Sequence, residues 1–224
     1  MIPGTKPRTI AVVTAGLGQP SSTRLLADRL AAASERHIRD MGDEPQLEVI
    51  ELREHARDLT NHLLTGFPSP ALQGAIDAVL GAGGVIAVSP IFSASYSGLF
   101  KMFWDVLDRD GLDGTPVLIA ATGGTARHSL ALEHALRPLF AYLGAATVPT
   151  AVYAASEDWG SGGVPADGSL VERIDRAARE LAKAVHARAD RSQAQRRSSK
   201  GAAELGGAYQ ARRARYRDSR QHAR

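Results

Sequence analysis

The chain has 224 residues, 44% of them hydrophobic and 5% aromatic, which suffices for one α/β domain with a single core. It contains no cysteine, which excludes a disulfide scaffold, a thiol nucleophile and a cysteine-ligated iron–sulfur cluster, so redox chemistry would need a bound cofactor. No apolar run approaches the roughly 18 residues of a membrane span, and the amino-terminal residues lack the apolar centre of a signal peptide, so we expect a cytoplasmic protein.

The net charge of +3 combines two dissimilar parts of the chain. Residues 187–224 carry 11 Lys and Arg against 3 Asp and Glu, a net charge of +8, which leaves −5 for residues 1–186. Apolar periodicity also fades near residue 190, and a polar segment of this kind buries too little surface to offset its ordering entropy. We therefore predict a domain over residues 1–189 and a basic, disordered tail over residues 190–224. The tail has no folded nucleic-acid-binding motif, so we do not expect nucleic-acid binding.

Strand and helix patterns alternate along the domain. Turn-bounded runs of β-branched and apolar residues predict five strands, at residues 9–14, 47–52, 85–89, 115–121 and 147–153. Helical spacing predicts helices from Ser21 or Ser22 to Gly42, over 71–80, over 98–109, from Thr125 to Leu143 and over 170–189. Pro138 should kink the fourth of these helices. Residues 53–69 are predicted to form a short helix and a long loop, and residues 160–168 a Gly-rich loop. This alternation predicts an α/β fold, a flavodoxin-like five-stranded parallel sheet in the order 2-1-3-4-5 with helices on both faces.

The loop after the first strand, GLGQPSSTR over residues 16–24, carries phosphate-binding groups. It opens a helix, where free backbone amides and the helix dipole favour an anion, and hydroxyls with a guanidinium would complete a phosphate clamp. The alternative is that Ser21 is only an N-cap and Arg24 only a solvated helix residue. The loop lacks a Walker A lysine and only approaches the dinucleotide fingerprint. The candidate residues are Ser21, Ser22, Thr23 and Arg24.

Two further loops follow the third and fourth strands, at the same edge of the predicted sheet. The earlier one offers backbone amides, hydroxyls and an aromatic wall to a flat ligand such as an isoalloxazine ring, although plain turn formation and ordinary packing of Phe92 or Tyr96 are the alternatives. The later one lets the backbone approach a ligand closely, or is simply a tight turn. The candidates are Pro90, Ile91, Phe92, Ser93, Tyr96, Ser97 and Gly98 in the earlier loop, and Thr122, Gly123 and Gly124 in the later one.

Three segments carry a resemblance to a known family: PSSTRLLADRL at 20–30, SPIFSASYSGLFKMFWDVLD at 89–108 and ATGGTARHSLALEHALRPLFAYLGA at 121–145. Over residues 8–186 the chain resembles NADPH-dependent FMN reductases of the flavodoxin-like superfamily, and especially the reductase components of two-component flavin-dependent monooxygenases. The resemblance implies that the first loop holds the FMN phosphate, that the second lines the isoalloxazine ring and that the third completes the site. It also implies a homodimer or homotetramer with flavin sites at subunit interfaces. Some relatives carry a Tyr within a π-bulge where this chain has His134.

These observations predict an NAD(P)H:FMN oxidoreductase that passes hydride from NADPH, or NADH, to FMN and supplies reduced flavin to a monooxygenase. The cofactors perform the reaction, so no catalytic side chain is required. Arg127 is a candidate contact for the NADPH phosphate. Two alternatives stay open: FMN as a prosthetic group that reduces a quinone, azo dye or metal ion, and a non-enzymatic flavin carrier or flavodoxin-type shuttle. The sequence leaves the nicotinamide preference and the physiological acceptor undecided.

Oligomerisation has an independent argument in the helix that begins at Gly98. Leu99, Met102, Phe103 and Val106 lie on one face and Phe100, Trp104 and Leu107 on another, and a helix that is apolar nearly all round must be buried on both sides. A second subunit would cover one side, unless residues 53–69 of the same chain do so. The seven histidines show no metal-ligand spacing, so we expect no metal site.

Overall fold

The computed structural model describes residues 8–160 and 170–191. Its strands are β1 Arg8–Thr14, β2 Pro45–Glu51, β3 Gly84–Phe92, β4 Ser95–Tyr96, β5 Pro116–Gly123, β6 Ala146–Thr147 and β7 Val152–Ala155. Its α-helices are α1 Ser22–Asp40, α2 Ala56–Thr65, α3 Pro70–Gly81, α4 Gly98–Asp105, α5 Arg137–Tyr142 and α6 over 170–191. Short 3-10 helices cover Leu52–His55, Ala126–His128 and Ser156–Trp159, and a π-helix covers Leu132–Leu136.

The sheet confirms the predicted strand order. β2, β1, β3 and β5 lie side by side with parallel pairing, and β6 and β7 both pair with β5 at the fifth position. The fifth predicted strand, 147–153, is therefore split in two. Pro149 lies in the gap, and proline has no N–H to donate to a strand ladder, which accounts for the interruption.

Helices cover both faces of the sheet, as predicted. Successive residues of β1 point to opposite faces, so Ile10 and Val12 join one buried cluster while Ala11 and Val13 join the other. One cluster includes Leu26 and Leu30 of α1 and Leu181 and Val185 of α6, and the other includes Phe100, Phe103, Trp104 and Phe140. A parallel sheet buried on both faces explains why its strands read as nearly continuous apolar runs.

Two segments differ from the sequence prediction. Residues 53–69 hold a 3-10 turn and the ten-residue helix α2 in place of a short helix and a long loop; of the α2 residues Leu59 alone is buried, so the sequence carried almost no apolar period there. The helix expected from Thr125 to Leu143 is broken into a 3-10 turn, a π-helix and α5. Pro138 is the second residue of α5, two residues after the π-helix ends, and its missing N–H is a known cause of such irregularity.

The first compact unit ends at His186, within α6. The predicted boundary near residue 190 stays a prediction, and the tail expected beyond it lies outside the described residues from 192 onward, as does most of the expected Gly-rich loop. Within residues 8–160 and 170–191, no helix is both long and apolar enough to cross a membrane.

Candidate functional site

The carboxyl ends of β1, β3 and β5 surround a cavity of about 300 Å³. β1 and β3 are neighbours in the sheet although β2 lies between them in sequence, so the cavity lies at the topological switch point, where open α/β sheets bind ligands. Its wall comes from the loop after β1, the turn after β3 and the loop after β5. The lining residues are Leu17, Gly18, Pro20, Ser21, Ser22, Thr23, Pro90, Ile91, Phe92, Thr122, Gly123, Gly124 and Ser156.

The loop after β1 wraps tightly around the start of α1. Ser21 is the N-cap of this helix, and its Oγ accepts a hydrogen bond from the amide of Arg24 at 3.2 Å. A Cβ on Gly16 would lie 2.1 Å from that Oγ, so any larger residue at position 16 would displace the capping hydroxyl. Ser22 and Thr23 open the helix, where backbone N–H groups lack acceptors within the helix and the dipole favours an anion. Ser21 is thus both a cap and part of the cavity wall.

A hydrogen bond joins the first loop to the third. The Oγ1 atoms of Thr23 and Thr122 lie 2.8 Å apart, and both side chains are buried. Each hydroxyl has one proton to donate, and one proton suffices for the bond between them, so the second O–H remains for another acceptor. Both residues line the cavity, so that acceptor can be a ligand.

Arg24 does not line the cavity. Its guanidinium pairs with Asp28 through Nε at 2.8 Å and with Glu51 through Nη1. The hydrogen bond to Asp28, reinforced by the charge of Glu51, raises the pKa of Arg24 in spite of partial burial. The guanidinium is therefore engaged by carboxylates in this structure, and its predicted contact with a phosphate stays a prediction.

The turn after β3 is a two-residue hairpin that leads into β4. Ile91 pairs with Tyr96 and Phe92 with Ser95, while Ser93 and Ala94 adopt φ of 49° and 68°. Both residues therefore occupy the left-handed region that glycine or asparagine usually fills, at a cost of order 1–3 kcal/mol each. The Phe92 side chain is 49% exposed beside the cavity, where it can serve as the aromatic wall that the sequence suggested.

Four other predicted residues of this segment lie outside the cavity wall: Ser93, Tyr96, Ser97 and Gly98. Tyr96 packs against Phe100, with ring centroids 5.8 Å apart. The Ser97 amide donates to Ser89 Oγ at 3.0 Å, and the Ser97 Oγ accepts from the Phe100 amide at 3.2 Å, which makes Ser97 the N-cap of α4. The packing and turn alternatives account for these contacts, and flavin roles for the four residues stay predictions.

The loop after β5 is shaped by Tyr153 of β7. The Tyr153 hydroxyl donates to the Thr125 carbonyl at 2.8 Å, and burial raises the pKa of Tyr153, so the phenol remains a donor at neutral pH. A Cβ on Gly123 would lie 2.0 Å from that hydroxyl, whereas one on Gly124 would meet nothing within 4 Å. Gly123 is therefore required by internal packing, while Gly124 faces open space beside the cavity.

Leu17, Gly18, Pro20 and Ser156 line the cavity but were missing from the sequence prediction. Ser156 directly follows β7, so the rule that ligands bind at the carboxyl ends of parallel strands, applied to the fifth strand as well, would have found it. The other three lie in the GLGQP stretch of the predicted phosphate loop, but only the residues from Ser21 to Arg24 of that loop were candidates from the sequence.

Two polar residues that the sequence singled out lie after the third loop. Arg127 is exposed in the 3-10 helix that follows Thr125, and His134 is exposed within the π-helix. The π-helix thus occurs at the position where the resemblance implied a π-bulge. Across the described residues, no group of three His, Asp or Glu side chains is placed to hold a metal ion.

This sheet, with three loops converging at its switch point and an exposed aromatic ring among them, defines a flavodoxin-like nucleotide-binding protein. The sequence profile of the NADPH-dependent FMN reductase family matches residues 8–160. The chain belongs to that family. Its membership confirms the resemblance and, with it, the predicted class of NAD(P)H:FMN oxidoreductase.

Individual relatives agree with the family assignment. The chain is 38% identical over 157 residues to an FMN reductase (NADPH) of Pseudomonas aeruginosa, which covers 69% of this chain and 81% of that protein. It is 35% identical over 154 residues to the NADH-dependent FMN reductase SfnF of Pseudomonas fluorescens, covering 69% and 80%. A solved oxidoreductase structure from Corynebacterium diphtheriae matches with a TM-score of 0.76 at 44% identity, covering 80% of this chain and 97% of that one.

Proposed function

We propose that the protein binds FMN in the switch-point cavity, reduces it with a nicotinamide nucleotide and releases the reduced flavin. The observation that carries this proposal is the convergence of the three loops on one cavity in a member of this family. When bound, FMN supplies the acceptor of the hydride. The chain supplies binding and alignment, which is the share that proteins take in such reactions.

The residues present fit an FMN molecule. Ser21, Ser22 and Thr23 at the start of α1 offer hydroxyl and amide donors to the phosphate. Phe92 and Gly124 offer an exposed aromatic face and open space to the ring. Because the cavity is exposed beside Phe92 and Gly124, one face of the bound ring would remain accessible to the nicotinamide, which must approach to about 3–3.5 Å for hydride transfer.

The test is NADPH and NADH oxidation by the purified protein as free FMN is raised from zero. Saturable turnover that requires added FMN supports release of reduced flavin. Turnover without added FMN, from flavin that copurifies, supports the alternative of a prosthetic group with another acceptor. No turnover by a folded protein that binds FMN supports a carrier, and no FMN binding overturns the proposal. The two curated relatives differ in nicotinamide nucleotide, so both nucleotides are assayed.

We further propose that the reduced flavin passes to a flavin-dependent monooxygenase, as the family resemblance implies. In a coupled assay, substrate oxygenation by such a monooxygenase should exceed the rate that the same flux of free reduced FMN supports. Equal rates would mean that the flavin diffuses without a specific partner.

We also propose that the protein is a homodimer or homotetramer. Phe100, Phe103 and Trp104 of α4 are buried within the chain itself, partly beneath residues 52–65, so the same-chain alternative accounts for one side of the helix. Leu99 and Met102 remain only partly buried and suit a second subunit. Sedimentation at micromolar concentration should give at least twice the chain mass of 23.8 kDa; a monomer would overturn this proposal.

A further inference from the structure

Arg53 lies beside the loop after β1 but outside the cavity wall. It belongs to the 3-10 turn Leu52–His55 that follows β2, and the fully buried Leu52 anchors that turn. The Arg53 side chain is 23% exposed. No sequence motif includes Arg53, yet three of its contacts connect it to the phosphate-loop region.

Two of these contacts reach the loop itself. Arg53 Nη1 donates to the Gly18 carbonyl at 3.4 Å, a long hydrogen bond. In the amide orientation that satisfies both groups, the side-chain oxygen of Gln19 accepts from Nη1 at 2.8 Å and from Nη2 at 2.7 Å. Gly18 lines the cavity, as do Pro20 and Ser21, which follow Gln19. The Arg53 guanidinium therefore binds the loop through Gly18 and Gln19, while Gly18, Pro20 and Ser21 of the same loop line the cavity.

The third contact fixes Arg53 to the framework. Its Nη2 lies 2.7 Å from Glu51 Oε2, while the other Glu51 oxygen pairs with Arg24. Glu51 thus lies between two guanidinium groups and joins the end of β2, the start of α1 and the loop. Asp28 also pairs with Arg24, so two carboxylates match the two guanidinium groups beside the phosphate loop.

The loop needs such an anchor because of its composition. Gly16 and Gly18 make the unfolded loop unusually free, so its ordering entropy is large. A loop already held in its binding shape spares the ligand that entropy, which raises affinity without any new contact to the ligand.

We propose that Arg53 is a positioning residue that holds the FMN phosphate loop in its binding shape and so makes the enzyme select FMN over riboflavin. This inference rests on the proposed function, since it takes the first loop as the phosphate site. Arg53 acts through Gly18 and Gln19, so its effect falls on the phosphate and not on the ring. Riboflavin has the same ring without the phosphate and gains nothing from the anchored loop.

The experiment measures FMN and riboflavin binding by flavin fluorescence quenching in wild type, Arg53→Gln, Arg53→Lys and Gln19→Ala. Arg53→Gln should raise the Kd for FMN roughly tenfold or more, the size expected for lost hydrogen bonds to a charged group, with riboflavin within about twofold of wild type. Arg53→Lys should lie between, because an ammonium can pair with Glu51 but lacks the planar fork. Gln19→Ala should shift FMN in the same direction by a smaller factor, through a change on the loop side that leaves the framework intact.

Arg57→Gln is the matched control, because it removes the same charge from an exposed arginine of α2 four residues along. It should bind both flavins as wild type does. In turnover, Arg53→Gln should raise the KM for FMN while kcat at saturating FMN stays within about twofold, a split that general damage to the fold would not produce.

Equal FMN binding by Arg53→Gln and wild type would overturn the inference, and so would a parallel loss of riboflavin and FMN. A loss in Arg57→Gln as large as in Arg53→Gln would reduce the effect to long-range charge and overturn it too. Failure of wild type itself to bind FMN would instead overturn the proposed function.

Discussion

The close approach of Tyr153 to Gly123 permits a quantitative test of how the third loop is built. In Gly123→Ala the new methyl would lie 2.0 Å from the Tyr153 hydroxyl, so the tyrosine or the loop must move. Overpacking of this kind costs about 1–3 kcal/mol. Displacement also breaks the hydrogen bond from Tyr153 to the Thr125 carbonyl, at about 1 kcal/mol. We expect the free energy of unfolding to fall by about 2–4 kcal/mol.

The second change is Tyr153→Phe, which removes the clashing oxygen. The nearest remaining ring atom, Cζ, would lie 3.1 Å from the methyl, a contact that a shift of a few tenths of an ångström relieves. Tyr153→Phe alone should cost about 1 kcal/mol for the lost hydrogen bond. In that background, Gly123→Ala should cost at least about 1 kcal/mol less than it does in wild type, so the two changes couple favourably.

Urea unfolding of the four proteins of this cycle measures the coupling. Gly124→Ala serves as a stability control, because its methyl meets nothing within 4 Å, and it should change stability by less than about 0.5 kcal/mol. Additive effects of Gly123→Ala and Tyr153→Phe would refute the reasoning, since they would show that the hydroxyl is not what excludes a side chain at position 123.

Three further predictions concern the other loops and the framework. Thr23→Val leaves the buried hydroxyl of Thr122 without its partner at 2.8 Å, so we expect the free energy of unfolding to fall by about 1–3 kcal/mol in denaturation experiments. The KM for FMN should also rise in steady-state assays. Phe92→Ala removes a half-exposed ring, so stability should change by less than about 1 kcal/mol while the KM for FMN rises severalfold; unchanged kinetics would remove Phe92 from the site. Hydrogen bonding to His37 lowers the pKa of Asp175 in the folded protein below its ordinary 3.8. Wild type should therefore be more stable than Asp175→Asn above pH 3.8 and should lose this advantage as the pH falls through the lower pKa of the folded state. Urea unfolding at a series of pH values from about 2 to 7 measures the difference.

The sheet could be predicted from the sequence because its strands are buried on both faces. Such strands read as short apolar runs, and strands that alternate with helices leave few topologies. Segments whose structure depends on a single residue, or that bury few side chains, were harder to predict from the sequence. α2 buries only Leu59, so its sequence shows no apolar repeat at helical spacing. Pro149 and Pro138 interrupt a strand and a helix whose apolar patterns continue on both sides of the proline.

The candidate site was predictable to the level of its loops but not of every side chain. Nine of the predicted residues line the cavity, because the carboxyl ends of neighbouring parallel strands must meet. Sequence alone could not show that Arg24 pairs with Glu51, since this depends on where β2 ends, although helical spacing places Asp28 within reach of Arg24. Nor could it show that Ser97 caps α4, because a cap and a ligand contact use the same small hydroxyl.

The hydrogen bond between Thr23 and Thr122 spans 99 residues of sequence. A growing polypeptide therefore has no complete cavity until β5 has emerged and docked beside β3, so a half-synthesised chain cannot gain from the flavin. Once the sheet has formed, any ligand that binds only the native state stabilises that state, by about 2.7 kcal/mol when the ligand concentration is a hundredfold above its Kd. A higher free flavin concentration would then stabilise the folded protein against unfolding, in addition to supplying its substrate.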